Sequence, residues 1–329
     1  MLNYRPASLG ILAIMAAVLA FDSGVAQAQA RYPGGPIKVV VPFLGGGSVD
    51  TLLRIVAPRL SESWGQPVVV ENKAGAGGNI GADIVAKALP DGYTVLFTPS
   101  GPLSLNMFLY ERLPFDASSA FAPVTILALM PNMLLVGPRV QAKRISELIA
   151  DARANPGKLS YGSPGVGTVS HLTAELLASA TGSTMVHIPY KGFPPLLADL
   201  IGGRLDFAIL DATNALPQIR NGHLRALAIA HPKRFFALPE VPTFAETGID
   251  GVIASTWVSF LLPAGTPQEI VRKWHEELSR IAKIPEVRDR FEQLGAELWV
   301  STPDELRRYV DEEKGKWKSA IERAGIGKR

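Results

Sequence analysis

The chain has 329 residues, with 33 lysines and arginines against 30 acids, five histidines and no cysteine. A net charge of +3 without a basic cluster argues against a nucleic-acid partner. The missing thiols exclude disulfides, iron–sulfur clusters, thiolate zinc sites, a cysteine nucleophile and a lipoprotein anchor.

The first thirty residues read as a leader. Arg5 supplies a basic start, ILAIMAAVLAF (11–21) an apolar core, and VAQAQA small residues up to Ala30. The apolar run is well short of the ~20 residues a bilayer span needs. Residues 1–30 are therefore expected to be cleaved, and the remainder to be soluble in the periplasm. Cleavage leaves 299 residues, more than one core usually serves, so two lobes are expected.

From there, short β-rich runs alternate with amphipathic helical patterns. Strands are predicted at 37–43, 67–72, 93–98, 124–129, 132–137, 158–162, 185–190, 205–210, 224–230 and 255–262. Helices are predicted near 50–64, 79–89, 145–155, 169–180, 194–202, 268–283, 286–294 and 303–323. The first places Leu53, Val56, Ala57, Leu60 and Trp64 on one stripe, with Pro58 expected to bend it. Thr266-Pro267-Gln268-Glu269 and Thr302-Pro303-Asp304-Glu305 both read as capping boxes with threonine as the N-cap. The last helix would turn Leu306, Val310, Trp317 and Ile321 inward. Continuously apolar strands between helices predict an α/β fold with largely parallel sheets.

The sharper enzyme readings fail on spacing. YGSPG around Ser163 puts Tyr161 where a nucleophile elbow needs glycine. Ser170 and His171 are neighbours and would point apart on a helix, so His171 is expected to pack on its own loop. The five histidines show no metal-binding spacing. KAGAGGNIG begins like a dinucleotide fingerprint at Gly75 and Gly77, but position 80 is isoleucine and the next glycine is Gly81. No cofactor and no metal are expected.

Two glycine loops remain. FLGGGSVD (43–50) follows the first strand, and SPGVGTVSH (163–171) occupies the same place in the second half. Each can converge backbone N–H groups on an anion at a helix start. Ser48, Asp50 and Thr168 are cap-type residues, for which helix capping and ligand contact are both open roles. Two such loops facing across a cleft would hold a carboxylate without arginine or lysine.

RYPGGPIKVVVPFLGGGSVD, VVVENKAGAGGNIGADIVAKALPDGYTVLF, GSPGVGTVSHL, VHIPYKG, LRALAIAHPKRFFALPEVPTFAETGI and TWVSFLLPAGTP together resemble the Bug family. These are extracytoplasmic solute-binding receptors of tripartite tricarboxylate transporters. The resemblance covers essentially the whole chain after the leader. It implies a type II periplasmic-binding-protein fold, with two α/β lobes closing on a small carboxylate. Lobe 1 would comprise 31–130 and 256–329, and lobe 2 would comprise 131–255. The crossings would fall near Leu129–Leu134 and Ser255–Phe260.

Carried over by position, the resemblance implies a first ligand loop of Phe43, Gly46, Gly47, Ser48 and Val49, ending at Asp50. Ser100 follows the third strand, and Gly165, Val166, Gly167 and Thr168 form the loop of the second lobe. Tyr190, Lys191, Gly192, Asp211 and Asn214 would border the cleft. Trp257 has three readings: hinge, cleft wall or core. Where the family often carries polar residues, this chain has Val49, Leu103, Val166 and Val169. That substitution pattern implies a ligand with one carboxylate and an apolar or aromatic body, because a second buried charge would lack partners. The implied partners are that ligand and the large and small membrane subunits of a transporter; the receptor itself is expected to be a monomer. A periplasmic sensor serving a signalling receptor is the alternative, and a secreted α/β enzyme a more distant one.

Overall fold

The computed structural model describes residues 32–323, 326 and 328. The predicted leader, residues 1–30, lies outside the described residues. Gly35–Arg329 forms one unit, and everything below concerns it.

The first half runs β1 (Ile37–Val41), α1 (Ser48–Trp64), β2 (Val68–Asn72), α2 (Asn79–Ala86) and β3 (Thr94–Pro99). A π-helical turn at Gly101–Leu105 then leads into the short α3 (Asn106–Leu109) and the long β4 (Phe121–Val136). Next come α4 (Ile145–Ala154), β5 (Ser160–Ser163), α5 (Val169–Thr181), β6 (Val186–Pro189), α6 (Phe193–Ile201), β7 (Phe207–Asp211), α7 (Ala212–Arg220) and β8 (Arg225–Ile229). The chain ends with β9 (Ser255–Pro263), α8 (Gln268–Ile281), α9 (Pro285–Gln293), β10 (Glu297–Leu298) and α10 (Pro303–Arg323).

Most predicted elements are present within a few residues, and the differences have physical reasons. The strands expected at 124–129 and 132–137 are one strand, β4. Pro131 does not break it, because β4 changes partners there. Up to Pro131 it pairs with β9; from Asn132 it pairs with β7 and β8. A residue without an N–H is tolerated where the ladder is handed over.

The sheets are mixed rather than largely parallel. β1 pairs in parallel with β2 and β3, and β5 with β6 and β7. Every pairing of β4 and β9 is antiparallel. The overall order is β2-β1-β3-β9-β4-β7-β5-β6, with β8 and β10 also on β4.

Strand alternation sorts the cores. Leu134 and Val136 of β4, with Phe207 and Ile209 of β7, enter one cluster, and Met133, Leu135, Ala208 and Leu210 enter another. These are the two faces of the second sheet, as a period of two requires. A third cluster joins Val40, Leu96, Ile126, Trp257 and Leu306 in the first half of the fold. Trp257 is thus a core residue, fully buried against Tyr309.

Helix α10 packs at both ends: Leu306 on the first sheet's cluster, and Trp317 and Ile321 with the second. Of the stripe expected to face inward, Val310 is only partly buried. Its capping box forms as predicted: Glu305 N–H donates to Thr302 Oγ1 at 3.2 Å, and Thr302 N–H to the Glu305 carboxylate at 2.7 Å. The one expected at α8 does not. Pro267 itself is the N-cap there, and Thr266 Oγ1 donates back to Pro263 O at 2.7 Å.

Candidate functional site

Both glycine loops open helices, but they do so differently. At α1 the N-cap is Gly47, with extended backbone and no side-chain cap. Ser48 is therefore already inside the helix. Its hydroxyl donates to Asp211 Oδ2 at 2.8 Å, a bond across 163 residues of chain. Asp50 does the local work of ordering the loop. Its carboxylate accepts from Gly46 N–H (2.9 Å), Arg54 Nε (2.8 Å) and Asn72 Nδ2 (3.1 Å). Burial alone would raise its pKa; these hydrogen bonds from Arg54, Gly46 and Asn72 outweigh that and hold it below the usual value.

At α5 the N-cap is Thr168, as its residue type suggests. Its Oγ1 donates to Gly165 O at 2.8 Å and accepts from His171 N–H at 3.4 Å. His171 packs under its own loop, as expected, with Nδ1 accepting from Gly167 N–H at 3.5 Å. Its ring stacks on His187, 4.1 Å between centroids, and His187 Nε2 meets Ser163 Oγ at 2.7 Å. The loop therefore rests on a braced floor.

These two helix starts reach one pocket with a free volume of about 30 Å³. Phe43, Gly47, Ser48, Val49 and Asp50 line it from the first loop, and Thr168, Val169 and Ser170 from the second. Ser100 and Thr256 add hydroxyls, and Phe193 an aromatic wall. No lysine or arginine lines it. The Ser100 hydroxyl is fully buried and makes no hydrogen bond to a described residue. The first N–H groups of each helix carry no intrahelical bond, so their partial positive charges converge on the pocket.

The remaining predicted residues sit elsewhere. Gly165, Val166, Tyr190 and Lys191 line an adjoining outer pocket of about 240 Å³ with Tyr110 and the loop Gly75–Gly78. The Tyr190 hydroxyl donates to Asp199 at 2.7 Å; burial and that carboxylate push its pKa up to about 12. Lys191 is exposed. Gly46, Gly167 and Gly192 line neither pocket. Gly192 precedes α6 and lies against Leu44.

Asp211 and Asn214 do not border the pocket either. Asp211 is the N-cap of α7, so its carboxylate turns to Asn214 N–H (3.1 Å) and lies fully buried behind Ser48. Of the four apolar departures, Val49 and Val169 line the main pocket and Val166 the outer one. Leu103 instead belongs to the first-half core. Ser170 was within reach of sequence reasoning, since it lies in the loop motif itself. Phe193 and Thr256 were not, because only the three-dimensional fold brings them near.

The loops also touch each other. Tyr110 hydroxyl donates to Val166 O at 3.1 Å. A side chain at Gly77 would collide with Val166 O, and one at Gly167 with Asn106 Oδ1. Asn106 is itself fixed by donating to Gly77 O (3.1 Å) and Asn79 Oδ1 (2.6 Å).

Two α/β sheets sharing β4, with one helix start from each facing a common pocket, define a type II periplasmic binding protein of two lobes around a ligand cleft. Residues 52–326 match the family model described as TctC, tripartite tricarboxylate transporter family receptor, and the chain belongs to that family. The structure of the periplasmic binding protein BugD is 34% identical, covering 91% of this chain and 100% of BugD with a TM-score of 0.87. Rpa4515 of R. palustris, solved with adipate, is 34% identical over 91% and 100% of the two chains, with a TM-score of 0.88. MatC from Rhodopseudomonas palustris, solved with bound malate, is 32% identical over 88% and 100%, with a TM-score of 0.85. This is a family of solute-binding receptors and not of enzymes. No helix among the described residues is long and apolar enough to cross a membrane.

Proposed function

We propose that this chain captures a small carboxylate between the N-termini of α1 and α5 and delivers it to the membrane subunits of a tripartite tricarboxylate transporter. One observation carries the reading: the starts of α1 and α5 both line a pocket that has hydroxyls and, among the described residues, no cationic side chain. The carboxylate would be held by peptide N–H groups and by the Ser100 hydroxyl, with Thr168 lining the seat. Charge-assisted bonds of this kind contribute roughly 1.5–3 kcal/mol each. Bound adipate and malate in the two related structures support the same ligand class.

A free volume of about 30 Å³ holds little more than water-sized groups. Entry of a solute therefore requires opening, with 31–130 plus 256–329 moving as one lobe and 131–255 as the other. Ligand binding shifts the balance towards the closed form, which the transporter reads. Export through cleavage after Ala30 would place this cycle in the periplasm.

The walls point to a ligand with one carboxylate and an apolar or aromatic body. Phe43, Leu44, Val49, Val169 and Phe193 offer no partner for a second charge. A thermal-shift screen tests both levels of the proposal. Monocarboxylic acids with an aliphatic or aromatic body, such as hexanoate and benzoate, should raise the melting temperature more than aspartate, glutamate or citrate. A clear preference for the dicarboxylic amino acids would reject the apolar-body reading, and no response to any acid would reject capture.

A further inference from the structure

The buried carboxyl of Asp211 has no role in a pocket that grips anions, yet it sits one hydroxyl away from that pocket. Asp211 is fully buried, and its Oδ2 lies 2.8 Å from Ser48 Oγ. Asn214 fixes the rest of the group: its N–H and Nδ2 reach Oδ1 at 3.1 Å, and Nδ2 also reaches Oδ2 at 3.1 Å. Burial makes the charged form costly, while these hydrogen bonds favour it and hold the carboxyl in place.

Proton placement decides what Ser48 can do. With Asp211 ionised, it can only accept, so the Ser48 hydroxyl must donate to it. Ser48 then shows the pocket its oxygen lone pairs, which repel a carboxylate. With Asp211 protonated, its O–H donates to Ser48 Oγ, and the Ser48 hydroxyl proton is released to point at the ligand. One proton is bound from solvent, one hydrogen bond reverses direction, and no covalent bond beyond the O–H changes.

We propose that Asp211 is a positioning residue that takes up one proton when a carboxylate enters the pocket, turning Ser48 from an acceptor into a donor for the ligand. The proposal rests on the reading of the pocket as a carboxylate seat. Among the described residues, no charged side chain bonds to Asp211. α1 presents Ser48 and, two residues on, Asp50, whose charge is matched by Arg54 at 2.8 Å. β4 presents uncharged Asn132, the register partner of Asp211, and α7 presents Thr213 and Asn214. Burial, the largest influence on the group, raises its pKa against the opposing hydrogen bonds from Ser48, Asn214 and Thr213. An anion at Ser48 raises it further.

The sign follows from linkage. Because the bound state holds more protons, affinity falls as pH rises, by at most tenfold per pH unit for one proton. It rises with acidification until the probe itself protonates, below about pH 5. Benzoate is titrated calorimetrically into the purified protein in buffers of different ionisation enthalpy. Wild type should take up close to one proton per benzoate near neutral pH, and Asp211→Asn none, with a flat pH profile. Equal proton counts in the two proteins, or none in wild type, would overturn the proposal.

A second measurement needs no ligand. Carbon-13 carboxyl spectra should show in wild type an aspartate titrating above the ordinary carboxylate range, which disappears in Asp211→Asn. Its absence would overturn the proposal even where benzoate binds. Failure of benzoate to bind both proteins would count against the carboxylate seat, and the carbon spectra alone would then decide Asp211. If Asp211→Asn does not fold, the wild-type proton count decides.

Discussion

Gly167 shows how a single position can carry function without touching the pocket. Its φ is +84°, a conformation that side chains disfavour, and an added Cβ would collide with Asn106 Oδ1. Gly157 has a similar φ of +74° but open space around it. Leucine at either site should cost roughly 1–3 kcal/mol of stability through backbone strain. Gly167→Leu should in addition weaken carboxylate binding at least tenfold, whereas Gly157→Leu should bind as wild type does. Melting curves and calorimetric titration of both variants separate strain from the loop's role; equal binding by the two would show that the loop does not shape the seat. The glycines of both loops were legible in the sequence as anion-friendly turns. What Ser48 does was not, because its partner Asp211 is 163 residues away and no local pattern encodes that distance.

At the level of elements, local chemistry predicted most starts and stops but could not rank two look-alike motifs. Thr302 and Thr266 stand in the same sequence pattern, yet only Thr302 caps its helix. The loop at Pro263 turns so that Thr266 Oγ1 finds that carbonyl first. Thr302→Ala should therefore destabilise the protein by about 1 kcal/mol through loss of the cap. Thr266→Ala should leave the N-terminal amide protection of α8 unchanged. Denaturant unfolding and hydrogen exchange of the two variants would check this. Two helical segments that the sequence pattern did not predict carry prolines: Pro102 in the turn at Gly101–Leu105 and Pro217 inside α7. Pro102 stands in the first turn, where a missing N–H costs little, and Pro217 is accommodated within a nine-residue helix.

Across the whole molecule, alternating strands and helices announced an α/β fold, but not how its halves are joined. That depends on β4 exchanging partners at Pro131 and on α10 packing into one hydrophobic cluster of each sheet. Neither event leaves a periodic trace, since each is a choice between distant surfaces. The pocket that results is lined without lysine or arginine, and this has a bearing on the medium in which it would operate. Mobile ions screen attraction between solvent-exposed charges, most of all beyond about 10 Å at 0.1 M, but hardly reach dipoles sealed inside a protein. Uptake of a monocarboxylate should thus be nearly as tight in strong brine as in dilute buffer. Dissociation constants measured across that range should agree within about twofold; a steep rise with salt would reveal a guanidinium or ammonium counterion after all.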